Sequence, residues 1–167
     1  MFRRDRLTIL AAGLLLTATG LQARKLPFEL DLGLFRAEGN RSRLEVYISL
    51  DRQWITYERE RGRYKAHLAG VVLLKQLGQI IDFREMAIED VVDHLDDGPH
   101  GVIPKQATFS LEPGSYDLRV VVEDGQGNRS DSTLRVEVPA YGGLELEIST
   151  IQLASVIRRS AGRKEFY

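Results

Sequence analysis

LEPGSYDLRVVVED, running from Leu111 to Asp124, decides the fold of this 167-residue chain. A proline–glycine corner at Pro113 and Gly114 opens into a stretch in which Tyr116, Leu118, Val120 and Val122 fall on one face, the period of two that marks a half-buried β-strand. In two-sheet β folds a tyrosine near the start of the strand after such a corner donates its hydroxyl to upstream backbone and pins the crossover between sheets. Tyr116 holds that position, so Pro113, Gly114 and Tyr116 are the expected structural corner. Where antibody domains place a cysteine two residues later, this chain has Leu118, and apolar packing is expected to take the place of a bridge.

The same periodicity extends outward in both directions. Phe28, Leu30, Leu32 and Leu34 alternate with Glu29, Asp31 and Gly33, and Leu44, Val46, Ile48 and Leu50 alternate with Arg43, Glu45, Tyr47 and Ser49; Glu38-Gly39-Asn40 between them supplies a hairpin turn. Gln53 to Glu58, with the single tryptophan, reads as a third strand. Tyr64 to Leu74 reads as a fourth, and a short strand with Ile80, Ile81 and Phe83 follows a tight turn at Gly78. Gly125-Gln126-Gly127-Asn128 turns the chain into Ser132 to Val138, and Leu144, Leu146 and Ile148 mark a last strand. Over 85–97 the spacing of Ile88, Val91, Val92 and Leu95 matches one helical face and predicts a short helix ended by Gly98-Pro99. About eight short, turn-separated strands without regular intervening helices predict an all-β, immunoglobulin-like antiparallel sandwich.

The first 23 residues have the layout of a signal peptide: arginines at 3, 4 and 6, an apolar stretch from Leu7 to Thr19, then small residues. Cleavage is expected after Gly20 or Ala23, with Ala23 preferred. The domain expected from 24 to 150 would then be exported, to the periplasm or outside the cell, and would touch membrane only through the leader. The tail from 151 to 167 reads as a linker or the start of a further region.

Composition excludes several classes of chemistry. With no cysteine the chain forms no disulfide, no thiolate zinc site and no thiol nucleophile. A net charge of -1, more negative once the basic leader is removed, gives no concentrated basic face for nucleic acid. There is no GxSxG elbow, phosphate loop or dinucleotide fingerprint. Asp93, His94, Asp96, Asp97 and His100 gather potential metal ligands, yet their spacing fits neither a calcium loop nor a helical zinc motif, and they read as a solvated acidic segment. His67 falls on the polar face of its strand. Trp54, Tyr57 and Tyr64 could stack on a sugar ring. Asn40-Arg41-Ser42 and Asn128-Arg129-Ser130 match the glycosylation acceptor pattern in expected turns.

Four segments taken in order, DLGLFRAEGNRSRLEVYISL from Asp31, GRYKAHLAGVVL from Gly62, LEPGSYDLRVVVED from Leu111 and LELEISTIQLAS from Leu144, resemble the N-terminal half of bacterial GWxTD domain-containing proteins. The resemblance implies an exported bacterial protein with a β-rich N-terminal region, of largely undefined role. The naming motif itself is absent, because the tryptophan lies in Gln53-Trp54-Ile55-Thr56; the resemblance therefore implies the N-terminal part of a longer member or a stand-alone relative. The resulting expectation is a non-enzymatic module without catalytic residues, cofactor or metal, which binds or scaffolds an unknown protein partner in the cell envelope. The alternatives are a carbohydrate-binding module using the exposed aromatics and a metal-dependent enzyme centred on Asp93 to His100.

Overall fold

A computed structural model describes residues 25–95 and 100–141, together with the backbone of two short strands at 157–159 and 164–166. Strands β1 (Phe28–Arg36), β2 (Ser42–Asp51) and β6 (Val102–Leu111) form one antiparallel sheet in the order β1-β2-β6. The second sheet is built around β4 (Arg63–Gln76), which pairs with β5 (Gln79–Val92) along almost its whole length, with β7 (Gly114–Asp124) from Leu68 to Lys75, and with β3 (Glu58–Glu60) at its first three residues. Strand β8 (Arg129–Val138) closes the far side by pairing with β7. The chain thus forms the all-β sandwich, with crossovers between sheets on either side of β6. The strands β9 (Ile157–Arg159) and β10 (Lys164–Phe166) pair only with each other among the described residues.

The alternation seen in the sequence becomes the core. Leu44, Val46, Ile48 and Leu50 of β2 and Ala107, Phe109 and Leu111 of β6 meet Leu68, Val72 and Leu74 of β4 and Leu118, Val120 and Val122 of β7 in one buried cluster. Each large apolar side chain removed from water in this way contributes roughly 1.5–3 kcal/mol. Phe28, Leu30, Leu32 and Leu34 of β1 pack on the cluster from its rim.

At the crossover from β6 to β7 the Tyr116 hydroxyl donates to the Glu112 carbonyl at 2.8 Å. Gly114 has φ of +153°, and a Cβ there would stand 3.2 Å from Gln76 Nε2, so both backbone conformation and space favour glycine. Tyr116→Phe deletes this one hydrogen bond and leaves the buried ring in place. The expected loss is about 1 kcal/mol, read as a lower urea midpoint at unchanged slope; an unaltered midpoint would show that the corner does not hold the crossover.

Two elements differ from the sequence expectation. The helix expected over 85–97 is instead strand through Val92, followed by a bend at Asp93, while Asp96 to Pro99 lie outside the described residues. Pairing with β4 over two full-length strands outweighs a helical spacing that rests on four apolar residues. Residues 52–54 form a short 3₁₀ helix, with only Glu58–Glu60 extended, because the Asp51 carboxylate accepts from the Gln53 amide at 3.0 Å and caps the turn. The leader, and the strand expected around Leu144 to Ile148, lie outside the described residues. Among the described residues no helix is long and apolar enough to cross a membrane.

Candidate functional site

The β4–β5 hairpin turns through Leu77 and Gly78, both with positive φ (50° and 81°), the geometry of a two-residue turn matched to strand twist. Just beyond it the register slips between Leu74, which faces Asp82, and Lys75, which faces Ile80. Ile81 is the extra, bulged residue. Bulges re-aim side chains, and here three neighbouring large apolar residues remain in water: Ile80, Ile81 and Phe83 are 56%, 47% and 52% exposed.

These residues are continuous with an apolar strip on the outer face of the second sheet. Phe83 stands opposite Leu73 on β4, and one step along the same face Val71 stands opposite Val121 of β7. Val121 is buried although it points away from the core cluster. A sheet face turned to solvent ordinarily alternates to polar residues; an apolar strip that runs to an edge is the signature of a contact surface.

The edge itself is β5, which pairs with no strand other than β4 among the described residues. Its two halves differ. In the second half Ile88 and Asp90 point inward and are buried. Asp90 Oδ2 accepts from Arg52 Nε at 2.8 Å and from the Tyr57 hydroxyl at 2.6 Å, and Oδ1 accepts from Arg52 Nη2 at 2.9 Å. Arg52 also bonds the opposite loop, its amide donating to the Gly101 carbonyl at 3.1 Å. The forked guanidinium holds the Asp90 carboxyl below the ordinary carboxylate range, and Asp90 in turn holds Arg52 above its usual value. Burial, followed by the bond to Asp90, pushes the Tyr57 phenol well up, so it stays a donor. This cluster ties the second half of β5 to the 3₁₀ turn.

The first half of β5 has no strand beside it among the described residues, and at its centre the Phe83 amide donates to Asp82 Oδ1 at 2.8 Å while the Phe83 carbonyl accepts from Arg84 Nη1 at 2.7 Å. There Asp82 and Arg84 share the inward face and bond each other at 2.5 Å, which lowers the Asp82 pKa. The Arg84 guanidinium also lies 4.8 Å from the centre of the Phe109 ring, a cation–π contact at the margin of the core. Both side chains keep more than a third of their surface in solvent.

A concavity of about 110 Å³ is lined by Thr56, Glu58, Lys65, His67, Asp124, Gly125 and Gln126. It is smaller than the roughly 300 Å³ at which small-molecule sites begin. Of its two carboxylates, Asp124 is already used: it accepts from the amides of Gln126 and Asn128 at 2.9 Å and from Asn128 Nδ2 at 2.8 Å, which closes the β7–β8 turn. His67 Nε2 is 3.5 Å from Glu60, on the exposed sheet face.

The remaining sequence candidates are dispersed. Trp54 sits on the 3₁₀ turn and is 39% exposed, Tyr57 is committed to Asp90 with its ring against the core, and Tyr64 is half-buried. Asp93 and His94 follow β5 and His100 precedes β6, while Asp96 and Asp97 lie outside the described residues. Among the described residues no group of three or more His, Asp or Glu side chains could hold a metal ion. The Arg52–Asp90–Tyr57 cluster was not legible as a site, because Asp90 belonged to the expected helix; the available signal was a carboxylate at the inward position of a period-two register. No protein-family model matches the chain, and no curated protein matches it.

Proposed function

We propose that the chain is an exported, non-enzymatic β-sandwich module of the bacterial cell envelope that binds protein through the open half of β5 and the apolar strip beside it. One observation carries the reading: Ile80, Ile81 and Phe83 are exposed together on an edge strand, with Leu73, Val71 and Val121 forming an apolar strip on the sheet face beside them. An edge strand offers unpaired backbone donors and acceptors to an incoming strand, and adjacent side chains supply selectivity. The leader-like N-terminus and the resemblance to GWxTD domain-containing proteins support the envelope assignment.

A photo-crosslinking side chain placed at Ile81, in the cells that produce the protein, is expected to form a protein adduct. The same side chain at Arg135, on the charged β8 edge, is expected to form none. Absence of an adduct at Ile81, or equal labelling at both positions, would remove the basis for this function.

A further inference from the structure

We propose that the partner of this edge is a second copy of the chain, the two β5 strands pairing antiparallel with Phe83 facing its counterpart on the two-fold axis. The proposal rests on β5 being the docking edge, as read above, and adds the occupant and the register.

A two-fold interface must be complementary to itself. The triplet Asp82-Phe83-Arg84 meets that condition about Phe83. With the axis there, Asp82 of each copy stands opposite Arg84 of the other, so the pair now closed within one strand is exchanged for two pairs across the interface, and the Phe83 amide and carbonyl that these side chains now hold are released to the new ladder. Moving the axis by one residue sets Asp82 against Asp82, or Arg84 against Arg84, and like charges directly opposite are unfavourable. The charge pattern therefore disfavours both neighbouring registers. On the outer face the two Phe83 rings become neighbours, with Ile81 of each copy opposite Glu85 of the other.

Two of the other edges are less suited to this. β6 carries Pro104, which cannot donate to a ladder, and β8 presents Arg129, Asp131, Arg135 and Glu137, charges already paired within the second sheet. The open half of β5 contains neither proline nor lysine. A single strand pair with its side chains buries less than the ~1,200 Å² of a standard interface, so the dimer is expected to depend on concentration.

Sedimentation equilibrium of the full chain, diluted from about 1 mM, is expected to show a doubled mass that falls toward the monomer. Asp82→Arg and Arg84→Asp should each be monomeric over the same range. Their equimolar mixture should recover the dimer, because the chain with two arginines meets the chain with two aspartates. The chain has no cysteine, and facing residues of an antiparallel pair lie within disulfide reach; Phe83→Cys should therefore oxidise to a covalent dimer much faster than Leu77→Cys.

A wild-type monomer throughout the series, a dimer that survives both charge substitutions, a mixture that stays monomeric, or equal oxidation of the two cysteine variants would each overturn the proposal. If it fails while Ile81 still crosslinks to a different protein, the docking edge stands with another occupant. If Ile81 crosslinks to nothing, both readings fall.

Discussion

Arg52→Ala is expected to destabilise the sandwich by about 3–5 kcal/mol, the scale on which removing one partner from a buried ion pair acts. The loss follows from what is left behind: a buried Asp90 carboxylate that has lost both of its hydrogen bonds from the guanidinium and keeps only the Tyr57 hydroxyl. Equilibrium urea unfolding at neutral pH checks it, and a loss under about 1 kcal/mol would mean that water relieves the carboxylate and the cluster is not a fastening. Replacing both partners by apolar residues, Arg52→Met with Asp90→Leu, should recover most of the stability, since no charge then remains to be solvated.

The same cluster, together with the Asp82–Arg84 pair, sets a pH dependence whose sign is fixed. Asp90 and Asp82 have folded-state pKa values below their unfolded values, so the unfolded chain binds protons first as pH falls. Their stabilisation is complete above the ordinary carboxylate pKa of about 4 and is lost progressively as pH drops through the folded values. Wild type should therefore weaken on acidification through that window, and Asp90→Asn should show a shallower slope.

Phe109→Ala is expected to cost about 3–5 kcal/mol by a different route, the cavity left by the largest fully buried side chain of the core. Phe109 lies on β6 but also offers its ring to Arg84 of β5. The substitution thus removes core volume and frees the guanidinium that orients Asp82 on the open edge. Phe109→Leu, which refills most of the volume without the aromatic face, should recover much of the stability. Equal losses for the two variants would assign the effect to the ring contact and not to the cavity. Tight binding at β5 after Phe109→Leu would show that Arg84 needs no platform to present its charge.

Much of the sandwich was legible because its signal is local. Alternation in β1, β2, β7 and β8 depends only on which faces of a pleated strand meet water, and the turns at Gly39, Gly78 and Gly127 adopt positive φ that glycine accommodates without a steric penalty. The corner at Pro113, Gly114 and Tyr116 was likewise contained within a few residues. The stretch from Glu85 to Val92 was not: Asp90 interrupts its inward apolar face, and four apolar residues happen to fall at helical spacing. That segment becomes a strand because β4 offers a full-length ladder and because Arg52 and Tyr57, distant in sequence, satisfy the carboxylate it buries. The exposed apolar edge is equally non-local. Ile80, Ile81 and Phe83 read as ordinary strand residues, and only the placement of β5 at the margin of the sheet, with a bulge at Ile81, leaves them in water. By itself the sequence determined the alternation, the turns and the corner, since these follow from local backbone geometry and side-chain polarity. The tertiary structure decided which strand became the edge and which buried charge found its partners, because both depend on pairings between residues far apart along the chain.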